Sequence, residues 1–282
     1  MNPYTRRTFC SAVLAGGVLA ARQAMAAKEV VLGVQGWSFR RLSLDDAIKG
    51  TLQAGLNAME LGWNHVEPAG LSREDMRKWR LTTPVSAYHE IRDKVQGAGI
   101  KIVAYSATLR SDFTDEEIVR TFEMAAAFGV NTITTSTNVS MSERLDTFAK
   151  KYKMRVGFHN HSRIRPDEFA IPDDFATALR GRSRYMGINL DAGHFWAAGF
   201  DPVAYIKKHH SRIWSLHLKD RKKNQGPDFP FGEGDTPLKD ILLLLKKGQY
   251  GFPAVIEFEL KGTDPVAGVK QCADYCKKVL AG

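Results

Sequence analysis

The chain has 282 residues, of which 44% are hydrophobic and 25% charged, a composition typical of an ordinary soluble globular protein. Its formal net charge is +9, but the first 27 residues hold three arginines and no acid, which leaves 37 basic against 31 acidic residues in the rest. Because these basic residues are dispersed over predicted helix faces and are not interleaved with aromatic residues, the charge argues against nucleic-acid binding.

The first 27 residues are typical of an export signal and not of a folded domain. Arg6 and Arg7 lie in a Thr-Arg-Arg-Thr-Phe string, which resembles a twin-arginine signature. An apolar run at 12–21 and an Ala-Met-Ala cleavage pattern at 24–26 follow. A retained membrane anchor is the alternative, although the run is short for a bilayer crossing. We therefore predict an export signal at 1–27 and a periplasmic or otherwise exported mature protein with no stable membrane insertion.

From residue 28 onward, short apolar strands alternate with amphipathic helices about eight times. The predicted strands lie at 30–39, 58–63, 102–107, 132–136, 155–161, 186–191, 213–219 and 254–260. The predicted helices lie at 44–54, 84–98, 115–128, 142–151, 172–179, 202–209, 237–246 and 265–280. Eight consecutive βα units without a hairpin signal favour a closed parallel barrel, so 28–282 is predicted to be a single (β/α)8 TIM barrel.

Two other sequence features bear on the fold. The first predicted strand contains Gly33 and Gly36 but no G-x-G-x-x-G string, which argues against a dinucleotide-binding fold. Cys272 and Cys276 lie four residues apart on the last predicted helix, where packing is a better explanation than a disulfide or a zinc site. The long connections 64–83 and 221–235 both follow strands, so they are predicted to lie on the rim where barrel active sites form.

The last four strands carry polar residues on the parity that faces the barrel interior, near the carboxyl end of each strand. Burying so many ionisable groups costs several kcal/mol apiece unless a partner such as a divalent cation compensates. The predicted ligands, one from each of strands 5 to 8, are His159, Asp191, His217 and Glu257. Such a mixed imidazole and carboxylate set suits Mn²⁺, Co²⁺, Fe²⁺ or Zn²⁺ better than Ca²⁺ or Mg²⁺.

Four strings in this region resemble the xylose-isomerase-like TIM-barrel superfamily. They are Asn-Leu-Asp-Ala-Gly-His at 189–194, His-Leu-Lys-Asp at 217–220, Phe-Gly-Glu-Gly-Asp at 231–235 and Ile-Glu-Phe-Glu at 256–259. The superfamily includes sugar isomerases, ketose 3-epimerases, inosose dehydratases and endonuclease IV. The resemblance to endonuclease IV is limited to the fold, because the early strands offer too few ligands for its metal cluster.

The resemblance implies that the four predicted ligands bind one metal, and it also shows where this chain departs from the family pattern. The first ligand is often Glu in the family, whereas this chain has His159 in a His-Asn-His string. Two-base epimerisation in the ketose 3-epimerases uses carboxylates matching positions 159 and 257, so only Glu257 remains here. Single-base proton transfer is favoured, unless Glu60, Glu259 or His161 supplies the second base.

The other predicted site residues surround this metal centre. Glu257, His161 and Lys219 are the predicted catalytic residues, and Lys219 could neutralise an oxyanion or form a salt bridge. Aromatic rings beside a polar site suit the C–H faces of sugars. The predicted substrate contacts are Glu60, His194, Trp37, Trp63, Trp196 and Glu259.

Together these observations predict a metal-dependent carbohydrate isomerase or epimerase that forms an enediolate from a non-phosphorylated sugar or sugar derivative. No Gly-rich or Arg-clustered phosphate cradle is visible. A lyase or dehydratase that cleaves a keto-glycoside or keto-polyol by β-elimination is one alternative, and a non-catalytic sugar-binding protein is another. The sequence leaves the oligomeric state open.

Overall fold

Eight parallel strands close into one barrel in a computed structural model that describes residues 29–282. The strands are β1 (Leu32–Gln35), β2 (Ala58–Gly62), β3 (Lys101–Ala107), β4 (Thr132–Thr135), β5 (Arg155–His159), β6 (Met186–Asp191), β7 (Ile213–Leu218) and β8 (Ala254–Ile256). Each strand pairs with its neighbours in the sequence, and β8 closes the barrel on β1. The predicted (β/α)8 barrel is confirmed. The export signal predicted at 1–27 lies outside the described residues.

Helices follow the strands and form the outer layer. They are α1 (Leu44–Gln53), α2 (Arg73–Thr82), α3 (Val85–Gly97), α4 (Asp115–Ala127), α5 (Ser142–Tyr152), α6 (Pro172–Leu179), α7 (Ala192–Ala197), α8 (Pro202–His209), α9 (Leu238–Gly248) and α10 (Pro265–Ala281). Both α8 and α10 begin with proline after an aspartate whose side chain accepts backbone hydrogen bonds. No helix in the described part of the chain combines the length and apolar character needed to cross a membrane.

The predicted boundaries were wrong at several places near the rim, where the strands predicted at 155–161 and 254–260 end at His159 and Ile256. The strand predicted at 30–39 ends at Gln35, and Gly36–Phe39 forms a 3-10 turn. The connection 64–83 contains the helix α2, and a short antiparallel ribbon joins Asp220–Arg221 to Asp228–Phe229 in the second long connection. Both connections are folded parts of the rim and not plain loops.

The core lies between the barrel and its helices. Strand residues are buried almost without interruption, as expected for parallel strands covered on both faces. Cys272 and Cys276 are both buried and unbonded on α10, which confirms that they serve packing.

A buried carboxylate fixes α2 to the start of α4. Glu117 is fully buried and pairs with Arg73 at 2.6 Å, Arg80 at 3.0 Å and Arg77 at 3.1 Å, all three from α2. Burial raises the pKa of Glu117, but hydrogen bonds from Arg73, from the Thr114 backbone and from the other two arginines lower it to about 2. This cluster ties α2 to the helix layer.

Replacing Glu117 with glutamine should destabilise the fold by about 3 kcal/mol above pH 5, because Arg77 loses its carboxylate partner and Arg73 and Arg80 keep only Asp112 and Glu67. A depressed pKa adds stability above the unfolded value, about 4.3, and that stability is lost as pH falls towards 2. The difference between wild type and Glu117→Gln in urea unfolding should therefore shrink between pH 4.5 and 2. The exposed neighbour Glu116 provides a control, since Glu116→Gln should change the unfolding free energy little. A constant difference across that pH range would contradict the assignment.

Candidate metal centre and active site

The four predicted ligands come together at the carboxyl end of the barrel. One donor atom from each of His159, Asp191, His217 and Glu257 lies within 4.8 Å of the others, and all four residues are buried. Strand register explains this convergence, because Asp191 pairs with His217 across β6 and β7 and His217 pairs with Val255 across β7 and β8. Neighbouring parallel strands thus deliver one donor each to a common point.

Asn160 and a glycine hold the end of β6 in place. The Asn160 side chain accepts a hydrogen bond from the Asp191 backbone N–H at 2.9 Å and donates one to the Asp191 carbonyl at 3.2 Å. Asp191 then caps α7, since its Oδ1 accepts the His194 backbone N–H at 2.6 Å. A Cβ at Gly193 would lie 2.5 Å from the Lys219 carbonyl oxygen, so only glycine lets α7 approach the end of β7 this closely.

Asp191 also shows that the donor set fits a cation. Its Oδ2 atom is buried and has no hydrogen-bond partner among the described residues. Burial raises the pKa of Asp191, and the nearby Glu257 carboxylate adds to that effect although Lys219 opposes it. A buried carboxylate oxygen without a donor is costly, and two imidazoles with two carboxylates are a familiar set for a transition-metal dication. These residues therefore fit a divalent metal ion.

His217 lies between two carboxylates. Its Nδ1 is 3.0 Å from Glu257 Oε2 and its Nε2 is 2.9 Å from Glu60 Oε1. Burial lowers the pKa of His217, but the Glu60 charge and the hydrogen bonds to Glu257 and Glu60 raise it to about 10. When no cation is bound, the protonated His217 ring balances the negative charge of the buried Glu60 and Glu257 carboxylates.

Glu60 does not lie where a substrate contact was expected. It is fully buried beneath the cavity and does not line it. Its oxygens accept hydrogen bonds from Thr134 at 2.7 Å and Ser215 at 3.2 Å in addition to the contact with His217. Glu60 therefore orients His217 from below and is not available as a second base.

Glu257 is ionised and faces the cavity. Burial raises its pKa, but the Lys219 ammonium and the hydrogen bond with His217 lower the pKa well below its ordinary value. Burial likewise lowers the pKa of Lys219, whereas Glu257, Asp191 and Glu259 raise it above its ordinary value. Lys219 pairs closely with Glu259, lies 3.5 Å from Glu257 and does not line the cavity, so its position suits the predicted salt bridge and not the predicted oxyanion neutralisation.

A cavity of about 350 Å³ opens above these groups. Two predicted aromatic contacts lie on its wall, with the rings of Trp37 and Trp63 5.6 Å apart. Trp37 Nε1 donates a hydrogen bond to Glu259 at 2.8 Å, and His161 and His194 also line the cavity. The cavity thus joins an aromatic wall to the metal ligands.

Trp196 lies elsewhere. It faces a separate groove between α8 and α9 that also includes Leu243 and Tyr250, and Lys223 sits over its ring at 3.9 Å. Trp196 lies on α7 and does not line the cavity above the metal ligands, so the substrate contact predicted for it does not fit its position.

Several cavity residues were not among the predicted site residues. Each of them lies near the carboxyl end of β1, β2, β3 or β4, or faces the barrel interior on β6. They are Gln35, Asn64, Ser106, Thr108, Arg110, Ser136 and Asn189. The alternation of small polar residues at the ends of β3 and β4 was the signal available in the sequence.

Comparison with known proteins agrees with this geometry. A family described as "Xylose isomerase-like TIM barrel" matches residues 51–279. A comparison with curated proteins found no match.

Among solved structures, the chain resembles an uncharacterized protein of Parabacteroides distasonis, with 26% identity, a TM-score of 0.64, and coverage of 88% of this chain and 98% of that one. It also resembles the apo form of 3-keto-D-glucoside 4-epimerase from E. coli, with 13% identity, a TM-score of 0.67, and coverage of 89% and 100%. A third structure, the IOLI protein with a zinc atom, has 14% identity, a TM-score of 0.66, and coverage of 89% and 98%. The last two are too distant to show more than a shared fold.

Proposed function

Because the chain belongs to the xylose isomerase-like TIM barrel family, we propose that it is a divalent-metal-dependent isomerase or epimerase of a non-phosphorylated sugar or sugar derivative. One observation carries the proposal: Glu257 belongs to the four-residue donor set and also lines the cavity as an ionised carboxylate. A base and a cation site at the same wall are what proton abstraction beside a carbonyl requires. The zinc atom of one structural relative supports the presence of a metal.

His159, Asp191, His217 and Glu257 would hold the ion. A bound divalent cation supplies Lewis acidity that stabilises negative charge on a carbonyl or enediolate oxygen. Mn²⁺, Co²⁺, Fe²⁺ and Zn²⁺ suit these ligands best, and Mg²⁺ is a weaker match.

The proton steps belong to the chain's own residues. Glu257 takes the proton from the carbon next to the substrate carbonyl, and the bonding electron pair moves towards the carbonyl oxygen. Return of the proton by Glu257 to the neighbouring carbon gives an isomer, whereas an epimer requires a donor other than Glu257 to protonate the original carbon from its opposite face. His161 lines the same cavity, and burial lowers its pKa, so it can exchange a proton with a substrate oxygen while remaining mostly neutral.

A second candidate is β-elimination from a keto-glycoside or keto-polyol. The observation that favours it is the position of the first ligand, because His159 stands where a second carboxylate base would act. Glu60 cannot replace that base, since its hydrogen bonds hold it beneath the cavity. Elimination needs a single base to remove the proton and an acid to protonate the departing oxygen. Glu257 and His161 can serve as that base and acid. Two structural relatives are named a probable 3-DHS dehydratase and a 3-keto-D-glucoside 4-epimerase.

Solvent exchange in D₂O distinguishes these functions. Zinc- or manganese-loaded protein would be incubated with neutral ketoses, aldoses and 3-keto-glycosides, and the products followed by ¹H NMR. Deuterium incorporation with conversion to an isomer supports the main proposal, whereas release of a free alcohol with an unsaturated sugar supports the lyase. Binding of a sugar without exchange, or a purified protein that takes up no metal, would instead indicate a non-catalytic sugar-binding protein.

We further propose that the protein is exported, on the strength of the twin-arginine-like string and the apolar run. A mature mass that begins near residue 27 is expected in the exported fraction. A protein that stays in the unexported fraction with Met1 retained would refute the proposal.

A further inference from the structure

The ring of His194 lies between two cationic side chains. Its Nδ1 is 2.7 Å from Arg221 Nη1, and its Nε2 is 3.1 Å from Lys219 Nζ. Both neighbours are hydrogen-bond donors, whereas a neutral imidazole has one donor and one acceptor nitrogen. The ring can therefore satisfy only one of these two neighbours.

Arg221 has the stronger requirement. A guanidinium can only donate, and it stays protonated in proteins. The two hydrogens of Nη1 have two neighbours, His194 Nδ1 at 2.7 Å and Ser162 Oγ at 2.8 Å. The rest of the side chain is fixed by hydrogen bonds to the Gly226 carbonyl and by an ion pair with Asp228 at 3.2 Å. Arg221 thus reaches His194 Nδ1 from a rigid position.

Lys219 does not require His194 as an acceptor. Its ammonium contacts Glu259 directly, and Glu257 and Asp191 lie at 3.5 and 3.7 Å. The ammonium thus has Glu259 as a direct acceptor and the Glu257 carboxylate as its next anionic neighbour, so it keeps an acceptor without His194. A ring that faces a guanidinium on one nitrogen and an ammonium on the other stays neutral and carries one hydrogen, because like charges disfavour its protonation.

We propose that Arg221 is a positioning residue that fixes His194 with its hydrogen on Nε2. The Nε2–H group then has no acceptor among the described residues, although buried donors are normally paired. Since His194 lines the cavity, the missing acceptor is an oxygen of the carbohydrate substrate. His194 is therefore a hydrogen-bond donor to substrate and not a base. This substrate role rests on the proposed function, while the tautomer does not.

Long-range ¹H–¹⁵N NMR of the histidine rings tests the tautomer directly, with His194→Gln used to assign the signals. The zinc-loaded protein should show His194 with hydrogen on Nε2. Arg221→Met, which removes every donor, should shift His194 towards a mixture of both tautomers, and Arg221→Lys should restore the wild-type pattern. Arg184→Met is the matched control, because Arg184 is exposed and contacts only Tyr185, so the His194 signals should not change.

Two results would overturn the inference. One is a wild-type His194 that carries its hydrogen on Nδ1, and this result does not depend on the folding of any variant. The other is an unchanged tautomer in a folded Arg221→Met protein. The measurement needs no substrate, so a protein that turns over no sugar but keeps Nε2–H would refute the proposed function and leave the tautomer assignment intact.

Discussion

Replacing Glu257 with glutamine should lower turnover by about 10²-fold or more, the usual scale for loss of a general base, while part of the bound metal is retained. The amide keeps the size of the side chain and one oxygen that can coordinate a cation, but it cannot take up a proton. The low pKa of Glu257 makes this loss effective, because the wild-type carboxylate is ionised at neutral pH beside Lys219 and His217.

Kinetics and metal content must be measured on the same preparation, since loss of metal alone would also abolish activity. Glu259→Gln provides the comparison, because Glu259 lies two residues away and lines the same cavity. Both Glu259 oxygens are already bonded, one to Trp37 and one to Lys219, so its replacement should reduce turnover clearly less. If the metal-loaded Glu257→Gln enzyme kept full activity, proton transfer would have to be assigned to Glu259, His161 or Lys219 instead.

The sequence predicted the barrel and its ligands because both depend on short-range patterns. Alternation along a strand decides which side chains face inward, and parallel strands in sequence order place their ends side by side. His159 and Asp191 could therefore be assigned to one centre from strand parity and strand order alone, and their positions match that prediction.

Contacts that cross the barrel were beyond such patterns. Glu60 on β2 meets His217 on β7, and no local periodicity encodes that pairing or its effect of taking Glu60 out of the cavity. Trp196 comes soon after β6 in the sequence, but it lies on α7. The direction of this helix is set by the Asp191 cap and by the packing of Gly193 on Lys219. Interior parity holds only as far as the strand continues.

Folded rim segments were missed for a related reason. The helix α2 has few apolar residues, and three of its ten residues are arginines that bind Glu117. Arg221 belongs to a two-residue strand in a connection that resembles a loop in sequence. Its contact with His194 comes from the ribbon geometry.

Replacing Asp191 with asparagine should weaken metal binding by at least about 100-fold, since changes to groups that only support a ligand already cost 10–100-fold. The substitution is selective. Asparagine can still accept the His194 backbone N–H and so keep the cap of α7, but it removes the charge of the buried oxygen that has no hydrogen-bond partner among the described residues. Activity should fall in proportion to metal occupancy and recover in part at high metal concentration.

Asp201 supplies the matched control for this last experiment. It caps α8 through hydrogen bonds from the Val203 and Ala204 backbones at 2.8 and 3.2 Å, and it lies outside the cavity that His159 and Glu257 line. Asp201→Asn should therefore leave metal affinity, measured by calorimetric titration of zinc into metal-free protein, at the wild-type value. If Asp191→Asn bound zinc as tightly as Asp201→Asn, the Asp191 carboxylate would be a helix cap alone. The buried Oδ2 would then need a partner other than a cation, and Lys219, 3.7 Å away, is the group that could move to meet it.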